Sequence, residues 1–191
     1  MKEKLLLVGA GGFGRVVMEH AVKEYDCAFV DDTYPETKRV CNIPVVGKIS
    51  DLSDLFNTYK KLVVVIGNTK LREKIYNQAR DIGFEFPNII AATAYISPFA
   101  SIGKGCVLLN NVSVQNGAKI GNGVLLNPCV EIHHDSFVDD NTLIYSNSVI
   151  RTYAHIGKRA WIGSTVSISV NAKVSDDEIV PDGMVVKKDS I

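Results

Sequence analysis

The sequence has no surplus of charge of either sign. Lys and Arg together number 21, as do Asp and Glu, for a formal net charge of zero. That balance removes the basic footprint expected of a nucleic-acid binder and gives no support to an acidic or membrane partner. Cysteine is scarce: Cys27, Cys41, Cys106 and Cys129 show no CxxC or other metal-ligand spacing, so no metal site is expected. No apolar run approaches the roughly 20 residues of a membrane span. The opening "MKEKLLLVGAGGFG" is too short in its apolar stretch for a signal peptide. These absences together lead to the expectation of a soluble, cytoplasmic protein with reduced thiols.

What is present falls into two patterns. Over the first ~85 residues, strand-like and helix-like segments alternate. "KLLLVGA" is a buried-strand run, and "GFGRVVMEHAVKEY" follows it with Val16, Val17, His20 and Ala21 on one helical side. "CAFVDD" and "LVVVIGN" read as further strands. "TKLREKIYNQARDIG" reads as a helix started by Thr69 and stopped by Gly83. This is the βαβ pattern of a small Rossmann-like α/β unit with a parallel sheet, expected over residues 1–86.

From about residue 88 the period changes. Aliphatic residues recur every six positions without a skip, from Ile90, Ile96 and Ile102 through Ile132 and Val138 to Val174 and Val180. A helix would repeat at 3.6 and a simple strand at 2. A period of six belongs to a parallel β-helix, in which each hexapeptide supplies one side of a coil. Three sides give eighteen residues per coil and about five coils over residues 87–191. Small residues four positions after each aliphatic one are expected to fill the corners. Gly103, Gly121, Gly157 and Gly163 are expected to serve the turns.

Two stretches carry candidate chemistry. In "EIHHDSFVDD", Ile132 and Val138 are inward rungs, which puts His134 and Asp135 at a corner that faces outward. An imidazole with the ordinary pKa of about 6.5 can serve as a general base, and an adjacent carboxylate can hold its tautomer. The plain alternative is a solvated polar corner. In "GAGGFG", Gly9, Gly11, Gly12 and Gly14 sit between a strand and a helix, the context of a phosphate-cradling turn. Asp31 and Asp32 follow about 20 residues later, either as a nucleoside contact or as a charged strand end. The unit is too small, and lacks the second mononucleotide-binding half, for a dinucleotide such as NAD.

The whole chain resembles the bacterial hexapeptide-repeat sugar acetyltransferases of the sialic-acid O-acetyltransferase type. That group includes N-acetyltransferases acting on nucleotide-linked 4-amino-sugars. The resemblance runs through "GAGGFG", "FVDD", "IGNTKLREKI", "NIIAATAYISPFASIG" and "EIHHD". It implies a left-handed β-helix, a homotrimer, and acetyl-coenzyme A as acyl donor in a cleft between neighbouring helices. It also implies His134 as the general base and Asp135 as its partner, with His133 beside them. The glycine turn would take a nucleotide-sugar through Gly11, Gly12 and Gly14, helped by Asp32, Asn68 and Arg72. For Arg72 a solvated helix face is the other reading. Arg151, Thr152 and Gly163 would lie along acetyl-coenzyme A, with a corner cap as the alternative for Arg151. This chain departs from the family in Phe13, where relatives carry histidine. It also departs at Arg151 and Thr152, where relatives carry small residues, and in ending at "VVKKDSI" without a Gly-x-Pro-Ala tail. Acetylation of a free acceptor such as serine, or an inactive nucleotide-sugar-binding subunit, are the competing functions.

Overall fold

The fold is described from a computed structural model, for residues 2–188. Its contacts divide the chain into two compact units, with the boundary between Ile89 and Ile90.

In the first unit three parallel strands lie in the order β2–β1–β5: β1 (Glu3–Val8), β2 (Tyr25–Val30) and β5 (Lys61–Val64). Leu5, Leu6, Leu7 and Val8 of β1 are all fully buried, as a central strand covered on both faces requires. Helix α1 (Gly12–Ala21) makes the crossover from β1 to β2 and buries Gly14, Val17, Met18 and Ala21. Val16, expected on the inner side, is 42% exposed, because the buried stripe is centred on Val17 and Met18. A two-strand hairpin, β3 (Arg39–Val40) and β4 (Ile43–Pro44), turns at Cys41 and Asn42, both with positive φ. A short helix, α2 (Leu52–Leu55), precedes β5, and α3 (Thr69–Ile82) follows it.

Helix α3 starts at Thr69, as the sequence suggests, but the residue before it makes the cap. Asn68 is the N-cap, its Oδ1 accepting from the Leu71 amide at 2.9 Å, and Thr69 is the first helical residue. The helix stops as expected at Gly83, which takes φ +110°.

The second unit is a left-handed parallel β-helix. Two-residue strands form three parallel sheets of six, six and five strands, among the described residues. Each strand pairs with the one eighteen residues on, as in Ser113 with Glu131 and Val114 with Ile132. From Leu108 to Val180 the predicted rungs are at most 4% exposed, and each fully buried rung contributes about 1.5–3 kcal/mol. Ile90, the first predicted rung, is 39% exposed, since nothing in its own unit stacks beneath it. The small residues four positions on point inward too: Ala118, Val124, Ala154 and Ala160 belong to the same core. Where they are polar they bond to the next coil. Thr142 Oγ1 donates to the Gly157 carbonyl at 2.9 Å, and Ser148 Oγ to the Gly163 carbonyl at 2.7 Å.

The corners correct the expected role of the glycines. Left-handed φ recurs every sixth residue from Gly105 through Asn111, Gly117, Gly123, Cys129 and Asp135 to Gly183. Gly103, Gly121, Gly157 and Gly163 come two residues before such positions. They are glycines because a Cβ there would strike the next coil: at Gly163 it would lie 2.6 Å from the Asp182 amide nitrogen. The left-handed places are held mostly by Asn, Asp and Gly, which tolerate that conformation better than other residues.

Candidate active site

The eighteen-residue stack places three short rows one above another at a single corner. They are Gln115-Asn116-Gly117, His133-His134-Asp135 and Arg151-Thr152-Tyr153. Asp135 is the left-handed residue of its row, at φ +58°. In that conformation its Oδ2 comes within 2.8 Å of His134 Nδ1. An ionised carboxylate only accepts, so Nδ1 carries the hydrogen, and in the neutral ring Nε2 then presents a lone pair. Both side chains are about half exposed, at 50% and 46%. The imidazole therefore stands in the open at the edge of the coil.

The neighbouring rows hold this pair. From the preceding coil, Gln115 Oε1 accepts from the His134 amide at 3.1 Å, and the Asn116 carbonyl from the Asp135 amide at 3.1 Å. A Cβ on Gly117 would lie 2.4 Å from Asp135 Oδ1, so glycine there leaves the carboxylate its room. From the following coil, Thr152 Oγ1 lies 3.1 Å from His134 Nε2. The Tyr153 ring meets the imidazole edge-on, with centroids 6.0 Å apart. Tyr153 is itself left-handed, at φ +60°, an uncommon conformation for a bulky side chain.

The other residues expected in this unit separate. His133 turns to Glu131, Nε2 to Oε2 at 3.3 Å. Arg151 is exposed, as a phosphate contact would need. Thr152 is drawn to the imidazole. Gly163 is buried and faces the Asp182 turn, so packing between coils accounts for it and it offers no surface along a ligand. Gln115, Gly117 and Tyr153 were missed. Writing the sequence in rows of eighteen would have placed all three beside His134 and Asp135.

In the first unit a cavity of about 380 Å³ opens at the glycine turn, with Gly11, Gly12, Phe13, Asp31, Asp32 and Leu71 in its wall. The glycines divide by role. Gly14 permits close packing, since a Cβ would lie 1.9 Å from the Gly9 carbonyl oxygen. Gly11 has nothing within 4 Å of where a Cβ would go, and Gly12 only the end of the Arg15 side chain at 3.9 Å. Internal packing thus gives no reason for glycine at these two positions, whereas close approach of a ligand does. Gly11 caps α1 with no side-chain hydrogen bond, which leaves first-turn amides of a ten-residue helix to face an anion.

The two aspartates differ. Asp31 Oδ2 accepts from the Ala10 amide at 2.8 Å, and Oδ1 accepts from Thr33 Oγ1 at 2.7 Å and the Thr33 amide at 3.0 Å. Burial pushes this carboxyl up, but these hydrogen bonds outweigh it and hold it below its ordinary value. Asp31 therefore ties the glycine turn to the end of β2. Asp32 is exposed in the cavity wall and accepts from the Ile49 amide at 3.0 Å. Arg72 is fully buried, with Nη1 donating to the Ile66 carbonyl at 2.6 Å, so the solvated-face reading fails. It braces the turn between β5 and α3. Asn68 engages its Oδ1 as the helix cap. Neither residue is in the cavity wall.

Among the described residues no helix is long and apolar enough to cross a membrane, and no cluster of three or more His, Cys, Asp or Glu is placed to hold a metal ion.

Comparison with known proteins agrees with this architecture. The PglD N-terminal domain family model matches residues 4–79, and the GMPPB C-terminal domain model matches residues 87–191. The acetyltransferase domain of PglB from Neisseria gonorrhoeae superposes with a TM-score of 0.92 at 29% identity. That match covers 100% of this chain and 94% of PglB's. Perosamine N-acetyltransferase from Caulobacter crescentus, a histidine-to-asparagine variant solved with CoA and GDP-perosamine, gives 0.91 at 28% identity. Here 97% of this chain and 89% of that one are covered. The PglB domain has also been solved with acetyl coenzyme A, with a TM-score of 0.86 at 29% identity over 97% of this chain and 96% of that one. Bifunctional protein GlmU of Rhizobium rhizogenes is 26% identical over 112 residues, 52% of this chain but only 24% of GlmU. The chain thus matches about a quarter of that relative's length. The GMPPB C-terminal domain model spans more than half of the chain, which therefore belongs to that family, and the PglD-type first unit and these structural neighbours make the whole chain similar to the hexapeptide-repeat sugar acetyltransferases.

Proposed function

We propose that this protein moves an acetyl group from acetyl-coenzyme A to an amino group of a nucleotide-linked sugar, with His134 as general base. The observation that carries the reading is the Asp135–His134 pair at 2.8 Å on an exposed coil corner. It stands in a chain whose neighbours at 28–29% identity were solved with acetyl coenzyme A, or with CoA and GDP-perosamine. The first unit supplies the nucleotide-sugar site. The amides at Gly11 and Gly12 face the diphosphate, and Asp32 serves the nucleoside. Phe13 gives the turn an apolar wall.

In the second unit the acceptor nitrogen attacks the thioester carbonyl carbon. His134 takes its proton at Nε2, and the carbon–sulfur bond breaks to release coenzyme A. Asp135 fixes the tautomer and stabilises the imidazolium as it forms. Arg151, exposed beside Thr152, suits a coenzyme A phosphate. A homotrimeric assembly in the cytoplasm completes the reading. The test is coenzyme A release with acetyl-coenzyme A and a panel of nucleotide-linked amino-sugars, set against free serine and free sugars. Turnover confined to the nucleotide-linked amines is expected. Turnover confined to free hydroxyl acceptors would overturn the substrate class. His134→Ala is expected to lower kcat by about 10²-fold or more, and wild-type turnover in that variant would remove His134 from the mechanism.

A further inference from the structure

His134 Nε2, the nitrogen that must receive the acceptor's proton, already has a partner. In the neutral imidazole that a general base requires, with Nδ1–H committed to Asp135 at 2.8 Å, the hydrogen for the 3.1 Å contact between Nε2 and Thr152 Oγ1 is the threonine's own. The hydroxyl therefore donates to the imidazole, and its oxygen lone pairs stay available to a second donor. Carboxylate, imidazole and hydroxyl form one row.

The backbone keeps Thr152 in this place. It occupies the position one coil beyond His134, and its carbonyl accepts from the Asn171 amide of the following coil at 3.1 Å. Its side chain is β-branched and stiff about χ1. For an acceptor to reach Nε2 directly it would have to break this contact and rotate a restricted side chain. Passing the proton through the hydroxyl requires neither.

We infer that Thr152 is a proton relay between the acceptor and His134. This rests on the proposed role of His134 as base. As the acceptor nitrogen bonds to the carbonyl carbon, its N–H proton passes to Thr152 Oγ1, and the hydroxyl's original proton passes to Nε2. The carbon–sulfur bond breaks, and the imidazolium returns its proton to the departing thiolate. Thr152 ends each cycle unchanged. The assignment moves Thr152 away from the coenzyme, where the resemblance alone had put it.

The experiment compares wild type, Thr152→Val, Thr152→Ser and His134→Ala by steady-state kinetics with acetyl-coenzyme A and the best acceptor. Valine keeps the branched shape without the hydroxyl, and thermal melting confirms that each variant is folded. Thr152→Val is expected to lose kcat by about 10²-fold with an unchanged KM for acetyl-coenzyme A, and Thr152→Ser to recover most of it. A proton inventory in mixed light and heavy water is expected to curve in wild type, as two protons move together, and to become linear for the residual rate of Thr152→Val. If Thr152→Val turns over at nearly the wild-type rate while His134→Ala is dead, the relay fails and the histidine reading stands. If His134→Ala is itself active, the reading beneath the relay fails. A loss confined to the KM for acetyl-coenzyme A would return Thr152 to the coenzyme. Acetyl found covalently on Thr152 by mass spectrometry would make it a nucleophile, and either result overturns the relay.

Discussion

The two units build their sites in different ways. At the glycine turn the proposed recognising groups are backbone amides, beside glycines at Gly11 and Gly12 that packing does not require. At the β-helix corner the groups are side chains, and the backbone only stacks the rows that bring them together. An amide cradle tolerates change until a side chain blocks it. A side-chain row fails once any one atom is removed or displaced. The contrast extends to glycine itself, which internal packing leaves open at Gly11 and Gly12 in one unit and which permits close approach of the next coil in the other.

Substituting alanine at glycines of the two kinds is the strongest way to break this comparison. At Gly163 an added Cβ meets Asp182 atoms at 2.4, 2.6 and 2.9 Å, backbone among them. Gly163→Ala is expected to destabilise the β-helix by about 2–4 kcal/mol, read from chemical denaturation. Gly11→Ala meets nothing within 4 Å, so its cost is limited to the poorer N-cap that alanine makes, about 0.5–1 kcal/mol, and it is expected to raise the acceptor KM. Equal losses of stability in the two variants would erase the distinction.

A smaller effect tests the corner. Gly117→Ala puts a methyl group 2.4 Å from Asp135 Oδ1 at a position of φ +70°. The carboxylate must move, and kcat is expected to drop about tenfold, with roughly 1 kcal/mol lost in stability. A variant that loses stability but keeps its kcat would show that the carboxylate has no say in the chemistry.

Asp31 sharpens the picture in the first unit. Its folded pKa is depressed, so its contribution is present above the unfolded value of about 3.9 and is lost as pH falls through the folded value. Asp31→Asn is expected to be less stable than wild type at pH 7 by about 0.5–1 kcal/mol, as solvent screening of a partly exposed carboxylate allows, with the gap closing below about pH 4. A gap independent of pH would mean that the carboxylate's charge is not what ties down the glycine turn.

The smallest effect concerns the thiols. Burial pushes Cys27 up to about 11, and Cys106 is fully buried, while Cys41 and Cys129 are exposed. Labelling at pH 8 in the folded protein is expected at Cys41 and Cys129 alone, and rapid labelling of Cys27 would indicate that the first unit opens readily.

The sequence supports these two sites unequally. The β-helix was legible because a rung buried at every sixth position leaves the same mark in sequence as in space. Once eighteen residues make a coil, His134 is bound to lie between Asn116 and Thr152. The first unit offers no such rule. That Asn68 caps α3 in place of Thr69, and that Asp31 holds the turn while Asp32 faces the cavity, depend on the paths of connecting segments with no period. Arg72 illustrates the same limit, since a charged residue on a helix reads as solvated until the turn it braces is in place.

By itself the sequence determined the α/β unit followed by a hexapeptide coil, the rungs of that coil, and the histidine and aspartate at its corner. Periodic burial imposes all of these locally. Only the tertiary structure decided which imidazole nitrogen meets Asp135 and which meets Thr152, which glycines stand clear of the chain and which pack against it, and which aspartate is already committed. These depend on distances between residues far apart in sequence, fixed only when the backbones that carry them are packed together.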